Sequence, residues 1–128
     1  MGLKDNVFVQ GRCSDSELYG LLKSSKVFVF PSLFEGWGIA VAEALTCGLS
    51  AVVYDIPALR EKFGGCKSVF LVPAKDVKKL SDKIMEVLSL SNRELEKLAS
   101  ASRDFAGSFK WECVAEKDLE AIKSLFKK

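Results

Sequence analysis

Lys26-Val27-Phe28-Val29-Phe30-Pro31-Ser32-Leu33-Phe34-Glu35-Gly36-Trp37-Gly38-Ile39-Ala40-Val41-Ala42-Glu43-Ala44-Leu45-Thr46-Cys47-Gly48 reads as strand, turn and helix in one run. Lys26 to Phe30 is almost wholly apolar, the pattern of a strand buried on both faces, and Pro31 ends it. A helix follows from roughly Gly38 to Cys47 and stops at Gly48. A buried strand leading through a short turn into a helix is the repeating unit of a parallel sheet covered by helices.

The flanking sequence extends this pattern. Upstream, Asn6 to Gln10 is predicted as a first strand, and Ser14 with Glu17 has the spacing of a capping box opening a helix to about Ser24. Downstream, Ala51 to Tyr54 is a strand, and Asp55 and Pro57 open a short helix carrying Leu59 and Phe63. Gly64-Gly65 breaks that helix, and Ser68 to Val72 forms the last strand. Val77, Leu80, Ile84 and Val87 recur at helical spacing; Leu95, Leu98 and Phe105 mark a second helix, and Ala115, Leu119, Ile122 and Phe126 a third. Lys75, Lys78, Lys79 and Lys83 are expected on an exposed face. The chain therefore reads as α/β, a Rossmann-like open parallel sheet in one domain over 1–128, with its last helices at roughly 92–126. Four strands make a small sheet with an edge that needs cover. That shortage suggests a sheet truncated on its N-terminal side, with a complete small domain as the other reading.

Composition narrows the chemistry. The 128 residues contain 19 Lys and Arg against 17 Asp and Glu, scattered along the chain, which gives no electrostatic case for nucleic acid. No run approaches the ~20 apolar residues of a membrane span, and Met1 to Asn6 lacks the layout of a signal peptide, so a cytoplasmic location is the default expectation. Histidine is absent, which excludes Ser-His-Asp and Cys-His devices. Cys13, Cys47, Cys66 and Cys113 lie far apart, form no C-x-x-C pair and read as reduced packing residues rather than zinc ligands.

In an open parallel sheet, ligands bind where strands end and helices begin. The segment from Pro31 to Trp37 is such a loop. Its glycines Gly36 and Gly38 allow close backbone approach, and the first amides of the following helix favour an anion. Glu35 precedes that helix start and Glu43 lies inside it. Carboxylates there suit sugar hydroxyls flanking a phosphate, because an ionised carboxylate only accepts hydrogen bonds. Amides for phosphate and carboxylates for hydroxyls together describe a nucleotide-sugar site. Against this stand plainer readings, with Glu43 as a helix residue, Glu35 as a solvated turn residue and Trp37 as a packing residue. Asp55 reads as a helix cap, Arg60 with Glu61 as a surface pair, and Arg12 as a loop arginine with an equal claim on the site.

The run from Phe30 to Ala44, with Cys47-Gly48 after it, closely resembles the E-x7-E region of retaining GT-B glycosyltransferases of family 4. The resemblance covers nearly the whole chain, from Asn6-Val7-Phe8-Val9-Gln10-Gly11 to the closing helix at Trp111. It implies that Glu43 holds the nucleotide ribose and that Glu35 meets the donor sugar and takes part in transfer. Gly36, Trp37, Gly38, Ile39 and Ala40 would meet sugar and phosphate oxygens, and Arg12 would border the base. It implies a nucleoside diphosphate sugar as substrate, no metal or other cofactor, and a glycan or lipid-linked acceptor that could bring the protein to a membrane periphery. The family's diphosphate-neutralising Arg and Lys lie upstream of the matched segment. Its acceptor-binding N-terminal domain would be in the same polypeptide or on a separate subunit, and the chain alone is expected to be inactive. Asp55-Ile56-Pro57-Ala58-Leu59-Arg60-Glu61 departs from the family in lacking a Gly-Gly pair. A non-catalytic binding module of the same fold and a generic flavodoxin-type domain are the alternatives.

Overall fold

A computed structural model describes residues 4–126, without the side chains of Trp111 and Cys113, so the expectation for the Cys113 thiol lies outside the described residues. Helix α1 (Asp15–Ser24) leads to β1 (Val27–Phe30), α2 (Ile39–Thr46), β2 (Ser50–Tyr54), α3 (Pro57–Phe63) and β3 (Val69–Val72). Three helices close the described chain: α4 (Val77–Leu88), α5 (Asn92–Ala106) and α6 (Trp111–Leu125).

The sheet is parallel with order β1-β2-β3, pairing Phe28 with Ala51 and Val52 with Phe70. All five residues of β2 are buried. Alternate strand residues point to opposite faces, so both faces of β2 are covered. Helix α4 contacts all three strands, while α2 and α5 contact each other and β2. Val41, Leu45, Val52, Val53, Leu59, Phe63 and Val87 form the centre of one core.

Helix starts follow local chemistry. Ser14 accepts from the Glu17 amide while Glu17 accepts from the Ser14 amide at 2.8 Å, the reciprocal box expected from their spacing. Hydrogen bonds donated to it by the Ser14 amide and hydroxyl lower the Glu17 carboxyl below its ordinary value. Ser91 and Glu94 repeat the device at α5, and Asp76 caps α4 by accepting from the Lys79 amide at 2.9 Å.

The predicted strand from Asn6 to Gln10 is not one. Residues 4–6 form a turn, residues 7–10 are irregular, and Val7, Phe8 and Val9 are exposed. A strand exists only with a partner, and β1 is hydrogen-bonded to β2 alone among the described strands. The described sheet therefore has three strands rather than four. For the same reason β1, read as buried on both faces, is half-buried throughout. The apolar positions of α6 also differ from expectation, since Leu119, Ile122 and Phe126 are exposed. Lys83 is half-buried, over the Phe70 ring and paired with Glu86, whereas Lys75, Lys78 and Lys79 are exposed as expected. Cys66 is buried, Cys13 and Cys47 are half-buried, and all three thiols are free.

A buried polar knot ties the far end of the sheet together. The Ser102 hydroxyl on α5 lies 2.8 Å from the Leu49 carbonyl and 2.6 Å from the Ser68 hydroxyl, which lies 3.1 Å from the Cys66 sulfur. Ser68 and Ser102 are fully buried, so truncating one strands the others without water. Ser102→Ala is expected to lower the unfolding free energy by about 1–3 kcal/mol. Urea unfolding of the two proteins measures this, and an unshifted midpoint would show that the knot contributes no stability.

Candidate functional site at the start of α2

The turn between β1 and α2 is built around Gly38. Its φ of 91° is left-handed, and a Cβ there would sit 2.6 Å from Leu59 Cδ2 and 3.1 Å from Phe63 Cε2. Only glycine satisfies both the backbone and the contact with α3. Gly38 is also the N-cap of α2, and it offers no side-chain acceptor. Val41 and Ala42 donate to the Gly38 carbonyl at 3.0 and 3.3 Å, while among the described residues no backbone acceptor takes the Ile39 or Ala40 N–H. At α1, α4 and α5 the side chain of the capping residue accepts from the third helical amide, an acceptor that Gly38 lacks.

Glu35 is half-buried and fixed by the turn itself. Its Oε1 accepts from the Ser32 hydroxyl at 2.8 Å, and that hydroxyl also lies 3.0 Å from the Phe34 carbonyl. Glu43 is half-buried in α2, and among the described residues its carboxylate makes no hydrogen bond or ion pair. Gly36 is exposed, Ile39 is 67% exposed and Ala40 is half-buried. Trp37 packs edge-on against Phe63 and Phe109, with ring centroids at 5.6 and 5.1 Å, so its indole is committed to the core. Arg12 is exposed in the loop before α1, and no described hydrogen bond or ion pair joins it to the Glu35–Glu43 segment.

Residues not singled out in the sequence complete the surroundings. A cleft of about 330 Å3 lies between Phe34, Glu35 and Gly36 on one wall and Ile56, Pro57, Ala58, Glu61 and Lys62 on the other. On the other side of the turn, a larger apolar hollow of about 500 Å3 is lined by Trp37, Ile39, Ala42, Phe109 and Val114, with Lys110 and Lys117 among its polar residues. Asp55 is not the cap of α3. Ile56 holds that place with Pro57 following, and Asp55 instead accepts two hydrogen bonds from Arg60, both at 2.7 Å. The expected Arg60–Glu61 pair is likewise replaced, because Glu61 pairs with Lys62 at 2.8 Å.

A parallel sheet whose strand end meets a helix start without a side-chain cap, flanked by two carboxylates, defines an α/β protein whose turn offers amide donors beside carboxylate acceptors. The comparisons with known proteins are specific. Residues 1–105 match the family described as glycosyl transferases group 1, and the chain belongs to that family. It is 35% identical over 117 residues to the MMP alpha-(1->4)-mannosyltransferase of Mycolicibacterium hassiacum, covering 90% of this chain and 28% of that protein. It is 25% identical over 113 residues to the GDP-mannose:cellobiosyl-diphosphopolyprenol alpha-mannosyltransferase of Xanthomonas oryzae, covering 88% of this chain and 30% of that one. The sucrose-phosphate synthase of Thermosynechococcus elongatus superposes with a TM-score of 0.81 at 25% identity, over 97% of this chain and 31% of its own. The fold is thus part of the GT-B Rossmann-like architecture, and the chain spans less than a third of each of these relatives.

Two predictions test the local construction. Gly38→Ala is expected to cost about 1–3 kcal/mol through left-handed strain and the clash with α3, whereas Gly36→Ala, with open space around it, stays within about 0.5 kcal/mol. Thermal melts of the pair measure it, and equal losses would refute the packing role of Gly38. Separately, the hydrogen bonds from Arg60 hold the Asp55 carboxyl below its ordinary value of 3.8. The stability this supplies is present above that unfolded value and is lost as pH falls through the lower folded one. Asp55→Asn is therefore expected to flatten the acid dependence of the melting temperature below about pH 4.

Proposed function

We propose that this chain binds the nucleoside diphosphate sugar donor of a retaining family 4 glycosyltransferase, which passes the sugar to a glycan or lipid-linked acceptor. The observation that carries this reading is the start of α2. Gly38 caps it without a side chain, the Ile39 and Ala40 amides have no acceptor among the described residues, and Glu35 and Glu43 stand on either side of those amides in sequence. Such amides take the diphosphate oxygens, aided by the positive end of the helix dipole.

Glu43 accepts from the ribose hydroxyls, and Glu35, steadied by Ser32, accepts from the sugar and assists transfer. Gly36 and the backbone at Trp37 lie along the sugar, and Arg12 borders the base. Membership of the family supports these roles, and the names of its mannosyltransferase relatives support a mannosyl donor, with GDP-mannose the first candidate.

Neutralisation of the leaving diphosphate falls to amides and cations, with no metal in the scheme. The cations belong to a part of the enzyme upstream of the matched segment, and the acceptor to an N-terminal domain in the same polypeptide or on a separate subunit. Losing even one preorganised donor costs ~100-fold or more in rate, so the isolated chain binds without turning over. No helix among the described residues is long and apolar enough to cross a membrane, and a lipid-linked acceptor would bring the protein to the membrane periphery.

Titration of GDP-mannose, UDP and ADP into the isotopically labelled chain is expected to move the amide resonances of Gly38 to Ala42 for at least one ligand. Glu43→Ala should weaken that ligand about 10- to 100-fold, the worth of charge-assisted hydrogen bonds to the ribose. Amides that stay in place with every nucleotide would refute the reading.

A further inference from the structure

The cleft facing Glu35 carries charges that the start of α2 does not explain. Its second wall is one face of α3, because Pro57 and Ala58 stand one turn before Glu61 and Lys62. The side chain of Lys62 is about two-thirds buried, at 35% exposure, and its ammonium is 2.8 Å from the Glu61 carboxylate. That contact holds the Glu61 carboxyl below its ordinary range, so it is ionised at neutral pH. Opposite stands Glu35, already oriented by Ser32. The cleft therefore presents two carboxylates and one ammonium, a net charge of about −1.

This balance selects a class of guest. A carboxylate only accepts hydrogen bonds and an ammonium only donates them, so a ligand satisfying all three must do both at several points. Hydroxyls do, and a ring carrying several of them fits a cleft near the lower end of the ~300–1,000 Å3 range of small-ligand sites. A further anion would meet two like charges with one counter-charge, and an apolar group would desolvate the half-buried Glu35 and Lys62 without a polar partner.

We infer that Glu61 and Lys62 form the second wall of the donor-sugar subsite opposite Glu35, and that they select an uncharged hexosyl group against a uronosyl group. This rests on the nucleotide-sugar reading and adds to it a specificity determinant on α3. The close contact of Gly38 with Leu59 and Phe63 fixes α3 beside the turn, so the two walls are held in register.

The test compares dissociation constants of the 128-residue chain for a bare nucleoside diphosphate, its neutral hexose conjugate and its uronate conjugate. GDP, GDP-mannose and GDP-mannuronate serve if guanosine binds, and the corresponding UDP, UDP-glucose and UDP-glucuronate series if uridine does. Lys62→Ala is expected to weaken the neutral conjugate about tenfold relative to its bare diphosphate, the loss of one charge-assisted hydrogen bond. Lys62→Arg should keep most of that ratio, and Glu61→Gln should narrow the gap between neutral and uronate conjugates. If the bare diphosphate binds but none of these ratios moves, the α3 wall is wrong and the donor reading stands. If no nucleotide binds the unmodified chain, both fall. Circular dichroism of each variant shows whether it is folded, and should Lys62→Ala unfold, the Lys62→Arg and Glu61→Gln ratios decide.

Discussion

The absence of one methyl-sized group governs this structure. At Gly38 the chain turns through a left-handed conformation while Leu59 and Phe63 press against the place where a Cβ would be. That contact does three things at once. It starts α2 without a side-chain cap, brings α3 up to the turn, and sets the width of the cleft between Glu35 and the face bearing Glu61 and Lys62. A larger residue would alter all three together, because packed interiors answer a misfit by shifting whole elements.

Around this point the aromatic residues act as a brace. Trp37 meets Phe63 and Phe109 edge-on, and Phe109 meets Phe63 and Phe105 in the same manner. Edge-to-face contacts fix ring orientation as well as distance. The turn is therefore tied to α3 and to the end of α5 through side chains rather than backbone hydrogen bonds. At the opposite end of the sheet, the serine knot ties α5 to the beginnings of β2 and β3. Both ties fall near the C-terminal end of α5, at Ser102 and Phe105, so that end of the helix joins the support of the site to the foot of the sheet.

What could be read from the sequence was what neighbouring residues decide among themselves. Ser14 and Glu17 cap a helix through contacts three residues apart, and the run from Val27 to Glu43 specifies strand, turn and helix within one short segment. The strand expected at Asn6 to Gln10 depended on a partner strand, and local pattern cannot supply one. Asp55 looked like a cap, but Pro57 fixes the first helical position after Ile56 and leaves Asp55 free to take Arg60. Glu35 and Glu43 stood out by their setting between glycines. Ser32 did not, because its contact with Glu35 depends on the conformation of the turn, and Glu61 and Lys62 did not, because only the placement of α3 beside the turn shows that they share a space with Glu35. Trp37 was open to two readings, and its contacts with Phe63 and Phe109 place the ring in the core.

The strand that aims the site also has an unpaired margin among the described strands. One margin of β1 is hydrogen-bonded to β2, while the other carries backbone donors and acceptors without a described strand partner, beside the stacked rings of Phe28 and Phe30. An apolar margin of this kind recruits any compatible strand, and proteins ordinarily blunt such margins with charge, proline or a covering element. Here Lys26 and Pro31 guard the two ends and nothing charged lies between them. Any strand that pairs with this margin would also steady the strand from which the Glu35 turn departs.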